Sequence, residues 1–326
     1  MARENKRFVL AKRPERDFIP GETFRLEKGP APTADDLKDG QVLVEALYLS
    51  LDPGTRAWLK HSPDSVVQMG STMWGFTVSR VLASKNPLVK EGDIVSATSG
   101  WAEVAVVEEP NFSKAEIPKG GEITDLIGVL GACFLSLDLW LITLLSMKRK
   151  TDRTDFSSSQ QGVTGVTAYL GLDKIGKPQA GETSSCPPPP AQPGRPRRSY
   201  VSQIDLFWDN VGGEILDAAL PLAKQFARFV ICGAISTYNN PEDAKGVYNL
   251  AYVNLKSIRM EGFTCFNYIQ EWPEARRVLG EWLAEGKLKR KDTIVRGGIE
   301  KAEYAFRDLF EGKNRGKLIV EIKSPE

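Results

Sequence analysis

The chain has 326 residues, with 43 Lys and Arg against 42 Asp and Glu, so its formal net charge is +1. This balance gives no electrostatic basis for a nucleic-acid or anionic-membrane partner. The composition, 41% hydrophobic and 26% charged, excludes a disordered or fibrous chain, and a length beyond about 250–300 residues predicts two domains.

The first 125 residues alternate short apolar runs with turn residues, which is typical of a small β-rich domain. Arg7–Ala11 is one candidate strand, and the period-2 pattern of residues 42–47 indicates another. A turn at Lys90–Asp93 is followed by apolar segments at 94–97 and 101–107. We therefore predict a barrel-like β domain over residues 1–125.

The later part of the chain has a different pattern. Ile204–Phe207 predicts a short strand, Glu214–Phe226 a helix, and Arg228–Cys232 an apolar strand that ends at Gly233. A strand, a helix and an apolar strand form a βαβ unit, which implies a parallel sheet covered by helices. The chain then continues with two predicted helices and a final strand, at 273–288, 301–310 and 317–322.

Two segments interrupt these patterns. Residues 128–147 are nearly continuously hydrophobic with one charge, Asp138, and residues 187–196 contain six prolines. Proline is excluded from helix interiors and central strands, so the second segment is not part of a sheet. The apolar run at 127–147 is long enough to span a bilayer, but Asp138 at its centre costs about 2.5–3.5 kcal/mol. We predict no membrane insertion, and a tether at 127–147 is the alternative.

Metal-ligating and secretory signals are absent from the sequence. The four cysteines form no Cys-x-x-Cys pair and there is one histidine, which argues against a zinc site and a Ser-His-Asp hydrolase. The N-terminus lacks the apolar segment of a signal peptide. Scattered cysteines in a chain that is not secreted indicate reduced thiols. We therefore predict a cytoplasmic protein with no metal.

Several short phrases occur in the order that one protein family shows. They are Leu49-Ser50-Leu51-Asp52-Pro53 with Arg56, Gly128–Gly131, Val163–Tyr169, Asp209–Gly213, Cys232–Ser236 with Tyr238, and Gly312–Lys317. With these motifs the chain resembles the zinc-independent medium-chain dehydrogenase/reductases of the prostaglandin reductase and alkenal double-bond reductase type, and most of all fungal members. The resemblance covers residues 1–131, 163–183 and 206–326.

The resemblance implies an α/β fold: a GroES-like β-rich catalytic domain, residues 1–125 with a C-terminal return at 293–326, and a Rossmann-type cofactor domain, residues 126–292. It also implies NADP(H) as cofactor, no zinc, and a homodimer. Tyr238 corresponds to the family's catalytic tyrosine, and Tyr48 and Arg56 to residues near the substrate. The implied cofactor contacts are Thr164, Asn210, Cys232, Gly233, Ala234, Ile235, Ser236, Phe263, Thr264, Cys265 and Asn314.

General principles agree with these roles. Open α/β sheets bind ligands in loops at the carboxyl ends of their parallel strands, where the 232–238 loop is expected to lie. Gly233 lets the backbone approach a ring closely because glycine has no Cβ. By itself, however, Gly233 is also compatible with a simple strand end.

The sequence departs from the family in two places. An insertion at 132–162 separates Gly-Val-Leu-Gly from the Thr-Gly motif, and the Pro-rich segment 184–205 stands where a strand, a pyrophosphate turn and further strands are expected. A phosphate-binding βαβ unit needs about 30 residues, and no Gly-x-Gly-x-x-Gly occurs in the chain. We therefore predict a truncated Rossmann-type sheet. We attribute both departures to the gene model: residues 132–162 to a retained intron, and the 184–205 region to a mis-spliced or deleted stretch.

The function implied is reduction, with NADPH, of the C=C bond of α,β-unsaturated aldehydes or ketones, or a dehydrogenase/reductase step on a polyketide-like secondary-metabolite intermediate. The alternative is a catalytically impaired pseudoenzyme or interaction protein that lacks the pyrophosphate-binding turn. A membrane-tethered variant is a third hypothesis. Binding of NADPH separates the first from the second.

Overall fold

The structure, a computed structural model, describes residues 3–59, 65–117, 120–128, 163–185, 203–239, 242, 245–288 and 290–325. The predicted insertion at 132–162, most of the apolar run and the Pro-rich residues 186–202 lie outside the described residues. The described residues form two compact units, the first within 3–128, 163–165 and 272–325 and the second within 166–271.

The described strands, in chain order, are β1 (Glu4–Leu10), β2 (Phe24–Pro30), β3 (Val42–Leu51), β4 (Thr77–Ser84), β5 (Ile94–Ala97), β6 (Val104–Val107), β7 (Phe112–Lys114), β8 (Ser184–Ser185), β9 (Ile204–Asp209), β10 (Ala223–Ile231), β11 (Arg259–Gly262), β12 (Asp292–Val295) and β13 (Lys317–Glu321). The described α-helices are α1 (Val163–Gly171), which continues as a π turn, α2 (Gly213–Ala219), α3 (Ala251–Leu255), α4 (Trp272–Ala284) and α5 (Ala302–Phe310). No helix in these ranges combines the length and the apolar character that crossing a membrane requires.

The first unit is built on β-strands, as the sequence predicts. Its main sheet has the order β12-β13-β3-β4-β5-β7, with β6 also paired to β3, and β1 and β2 form a separate antiparallel pair. All ten residues of β3 are buried: β4, β6 and β13 pair with its edges, and its side chains belong to several core clusters. The largest core cluster of this unit is aromatic, with Phe24, Trp101 and Phe306 each at most 2% exposed.

Helix α5 packs its apolar face against that core cluster. Ala302, Ala305, Phe306 and Leu309 recur at helical positions and are buried. The ring of Phe306 packs edge-on against Trp101 with the ring centres 5.4 Å apart. The helix predicted at 301–310 is confirmed.

The second unit is a parallel sheet, with the order β11-β10-β9-β8. Phe207 on β9 and Phe229 on β10 are fully buried, with their ring centres 4.9 Å apart. Leu216 of α2 belongs to the same core cluster. The predicted βαβ unit is confirmed, and its parallel strands bring their carboxyl ends to one edge of the sheet.

One predicted helix was wrong in length. The helix expected over 214–226 ends at Ala219, a single 3₁₀ turn covers Leu220–Leu222, and β10 begins at Ala223. Pro221 lies inside the predicted helix. Its ring and its missing N–H exclude a continued α-helix, so the apolar residues beyond it serve the strand.

Candidate active site

Two loops meet at the carboxyl edge of the parallel sheet: residues 209–213 after β9 and residues 232–238 after β10. The Cys232 amide donates to the Asp209 carbonyl oxygen at 2.8 Å, and the Ile235 amide donates to the Asn210 carbonyl oxygen at 3.0 Å. The Ser236 hydroxyl donates to the Val211 carbonyl oxygen at 2.6 Å. The two loops are therefore bonded to each other along their length.

The carboxyl group of Asp209 organises the first loop. Its Oδ1 accepts the amides of Val211 and Gly212, each at 2.9 Å. The residue is fully buried, and among the described residues its Oδ2 has no hydrogen-bond partner. Burial raises the pKa of Asp209, and the two amide hydrogen bonds offset this only in part.

Glycine is required where the two loops touch. Gly212 has φ +70°, and a Cβ placed there would lie 3.1 Å from the Ala234 Cβ. A Cβ on Gly233 would lie 3.1 Å from the Tyr238 hydroxyl oxygen and 3.3 Å from the Asn210 carbonyl oxygen. A side chain at either position would therefore push its neighbours by a few tenths of an ångström, and at Gly212 the positive φ adds backbone strain.

Tyr238 folds back over its own loop. Its hydroxyl oxygen accepts the Ala234 amide at 3.2 Å, so the hydroxyl proton remains available for another acceptor. Tyr238 is half-buried. The predicted residues Asn210, Gly233, Ala234 and Tyr238 thus form one continuous cluster.

Phe263–Cys265 lie beside this cluster because β11 is next to β10. The Phe263 amide donates to the Ile231 carbonyl oxygen at 2.9 Å, and the Phe263 ring stacks on Tyr268 with centres 5.6 Å apart. Burial, with smaller contributions from Cys265 and Asp209, raises the pKa of the Cys232 thiol to about 12. Cys232 is therefore a neutral thiol at physiological pH and not an activated nucleophile.

Helix α1 packs closely against the same region. A Cβ on Gly171 would lie 2.5 Å from the Trp208 ring and 3.1 Å from the Phe263 ring, so this glycine lets the helix approach both aromatic residues. Thr164 lies in the first turn of α1 and its side chain is outside the described residues. The sequence reasoning did not assign Trp208 or Tyr268 to the site, although an aromatic residue at a strand end is a usable signal.

The remaining predicted site residues belong to the first unit. Arg56 is 2% exposed, donates to the carbonyl oxygens of Pro14 and Arg16, and lies 5.4 Å from the centre of the Phe18 ring. Tyr48 is buried in β3, and burial raises its pKa. The Asn314 amide group donates to the Gly316 carbonyl oxygen at 2.7 Å. The roles of these residues toward substrate and cofactor stay predictions.

The described residues fit a dinucleotide cofactor at one end only. Around Asn210 and Gly233, the glycine-lined loops at the sheet edge suit a flat ring. Strand β8, where a pyrophosphate turn would begin, has two described residues, and the described ranges contain no Gly-x-Gly-x-x-Gly turn; their glycine-containing strand-to-helix turn, with Gly212 and Gly213, follows β9 instead. They also hold no group of His, Cys, Asp or Glu that could bind a metal.

Comparison with known proteins gives consistent matches. Residues 6–115 match the family "N-terminal domain of oxidoreductase". The NADPH-dependent curcumin reductase of Escherichia coli (strain K12) is 29% identical over 98% of this chain and 97% of its own length. The NADP(+)-dependent 2-alkenal reductase of Nicotiana tabacum is 30% identical, over 86% of this chain and 87% of its own length.

A solved structure agrees with the sequence comparisons. CurA from Vibrio vulnificus, in complex with NADPH, is 26% identical with a TM-score of 0.77, covering 98% of this chain and 100% of its own. The alignment with the E. coli protein extends over 371 positions, more than the 326 residues of this chain, so part of that relative has no counterpart here.

Proposed function

Because the chain belongs to the zinc-independent medium-chain dehydrogenase/reductase family of alkenal and prostaglandin reductases, we propose that it reduces the C=C bond of α,β-unsaturated aldehydes and ketones with NADPH. These matches confirm the predicted family, the α/β fold class with GroES-like and Rossmann-type domains, the oxidoreductase class and NADP(H) as cofactor.

The mechanism assigns one role to each part of the cluster. When bound, NADPH supplies the hydride that the substrate β-carbon accepts. Asn210, residues 232–236 and Phe263–Cys265 hold the nicotinamide end. The Tyr238 hydroxyl donates a hydrogen bond to the carbonyl oxygen, which becomes negative as the C=C electrons shift toward it. The α-carbon then takes a proton from solvent water, which leaves hydroxide, and the products are the saturated carbonyl compound and NADP⁺.

The observation that carries this proposal is the Tyr238 hydroxyl, which accepts from the Ala234 amide and keeps its own proton for donation. The same bond fixes the ring beside Gly233. Preorganised donors aimed at a developing oxyanion contribute strongly to catalysis because they need no rearrangement during the reaction.

Finer points belong to the same proposal. The substrate is a small enal, an enone or a polyketide-like intermediate, which Tyr48 and Arg56 help to position, and Thr164 and Asn314 contact the cofactor. The catalytic domain comprises residues 1–125 and 293–326, and the cofactor domain residues 126–292. The active form is a cytoplasmic homodimer, in keeping with reduced thiols at Cys232 and Cys265.

The test is an assay of NADPH oxidation with a panel of enals and enones, in which the decrease in NADPH absorbance is measured. Tyr238→Phe is expected to lower kcat about 100-fold because the enolate donor is lost, and to raise the KM for NADPH by a smaller factor because the Ala234 amide loses its acceptor. Tyr248→Phe is the matched control, since Tyr248 is 80% exposed in the same unit. A folded sample that neither binds NADPH nor oxidises it would instead support the non-catalytic alternative.

A further inference from the structure

Asp209 connects both loops of the candidate site. Its carbonyl oxygen accepts the amides of Cys232 at 2.8 Å and Gly233 at 3.1 Å, which belong to the second loop. Its side-chain Oδ1 accepts the amides of Val211 and Gly212, which belong to the first. One residue at the end of β9 therefore receives four backbone amides from two loops.

The burial of this carboxyl group is unfavourable for stability. Asp209 is 0% exposed, and its Oδ2 accepts no hydrogen bond from the described residues. The pKa of Asp209 is set by its burial and by the Val211 and Gly212 amides, with no cationic side chain contributing, and the ionisable group that it faces after β10 is the Cys232 thiol. Buried polar atoms without partners are rare in folded proteins, and one at a ligand-binding edge points to a functional requirement.

We propose that Asp209 is a positioning residue for the nicotinamide end of the site: by accepting the Val211 and Gly212 amides it sets Asn210 against Gly233. The Asn210 carbonyl and Oδ1 oxygens lie 3.3 and 3.4 Å from the place of a Cβ on Gly233. Without the Asp209 Oδ1 acceptor, the Val211 and Gly212 amides lose the hydrogen bonds that hold Asn210 beside Gly233. This inference rests on the proposed function, because it assumes that the loops receive NADPH.

The variants separate hydrogen-bond acceptance from charge. Asp209→Asn keeps the Oδ1 acceptor and removes the ionisable group, whereas Asp209→Ala removes both. Asp205→Ala is the matched control: Asp205 lies on the same strand, where its Oδ2 accepts from the Thr183 amide at 2.8 Å and from Lys224 at 2.6 Å. Asp209→Ser, with a shorter and weaker acceptor, replaces the alanine variant if that protein does not fold.

The readouts are hydrogen exchange of the Val211 and Gly212 amides without cofactor, NADPH Kd by fluorescence, and kcat/KM. For Asp209→Ala we expect faster exchange at both amides and a Kd at least about tenfold higher. For Asp209→Asn we expect a Kd within about threefold of wild type. For Asp205→Ala the Kd stays unchanged and only the Thr183 amide exchanges faster.

Two results would overturn the inference. One is a folded Asp209→Ala or Asp209→Ser protein with wild-type exchange and Kd. The other is an Asp209→Asn protein as impaired as Asp209→Ala, which would assign the effect to the charge.

Failure of the proposed function gives a different result. If the wild type binds NADPH but reduces no enal, the proposed reaction is contradicted, and the Kd ratios of the variants still test the role of Asp209. If wild type binds no NADPH, the inference fails with the proposed function, and the exchange data then report only on loop structure.

Discussion

Gly233 shows how a single residue acquires its role from its neighbours. The sequence indicated a close backbone approach at this position, and the expected partner was the cofactor ring. In the fold, the nearest groups are the chain's own Tyr238 hydroxyl and Asn210 oxygens. The glycine therefore makes room first for Tyr238, the residue proposed as the enolate donor.

Gly233→Ala is expected to displace the Tyr238 hydroxyl by a few tenths of an ångström and to weaken its bond with the Ala234 amide. We expect a destabilisation of about 1–3 kcal/mol from overpacking and a higher KM for NADPH. Gly262→Ala is the control, because Gly262 pairs with Ile231 on the next strand and a Cβ there meets nothing within 4 Å. Thermal unfolding and steady-state kinetics measure both. Equal effects of the two substitutions would contradict the crowding at Gly233.

Arg56 illustrates the limit of reading a role from a motif. Its guanidinium is occupied by two carbonyl oxygens and lies over an aromatic ring, and burial lowers its pKa. These contacts tie residues 14–18 to the 3₁₀ segment that contains Arg56. A motif identifies the residue type, whereas the partner of a long side chain depends on distant backbone.

At the scale of elements, Asp292 at the start of β12 lies close to Asp125, an acid that is distant in the sequence and belongs to the 3₁₀ segment Ile123–Leu126. Asp125 is fully buried and forms a two-pronged ion pair with Arg290, at 2.7 and 2.8 Å. Asp292 lies beside it. Burial, and then the charge of Asp125, raises the pKa of Asp292 to about 6. A Cβ on Gly128 would lie 3.0 Å from the Asp292 carboxylate, so little space remains around that group.

The raised pKa gives Asp292→Asn a definite pH signature. Because the folded state holds this proton more tightly than the unfolded state, wild-type stability falls as the pH rises from about 4 to about 6. The Asp292→Asn protein has no carboxyl group to ionise at this position, so its stability does not fall for this reason over the same pH range. We expect it to be more stable than wild type by about 1–3 kcal/mol near pH 7.5 and nearly equal to it near pH 4. Denaturant unfolding at the two pH values measures this difference.

Asp93→Asn serves as a control of opposite sign. Hydrogen bonds from the Lys90 amide and the Lys114 ammonium lower the pKa of Asp93, so its ionised form stabilises the fold. Its removal is expected to destabilise the protein near neutral pH and to matter less in acid. An Asp292→Asn protein that is less stable than wild type near pH 7.5 would contradict the assigned environment.

At the scale of the whole molecule, each of the two units has its own sheet and core. The first unit is closed by mostly antiparallel strands around an aromatic cluster. In the second unit, the described sheet has four parallel strands with the site loops at their carboxyl edge. The described part of each unit contains no group of His, Cys, Asp or Glu side chains that could bind a metal ion.

We therefore expect chelation to leave the protein unaffected. Dialysis against EDTA should change neither the thermal midpoint nor NADPH oxidation, because hydride transfer and enolate stabilisation are assigned to NADPH and Tyr238. A zinc-dependent alcohol dehydrogenase treated in parallel supplies the positive control. Activity lost on dialysis and restored by Zn²⁺ would contradict the zinc-independent assignment.

The sequence by itself determined the β-rich first part, the βαβ unit and the family, because strand periodicity, an apolar strand ended by glycine, and short motifs are local properties. Its one clear error, the helix over 214–226, came from overlooking a local signal, Pro221. Only the tertiary structure decided that Asp209 receives amides from two loops and that the half-buried Asp292 lies close to the buried Asp125. Burial and pKa depend on which distant segments pack together, and spacing along the chain does not reveal that proximity.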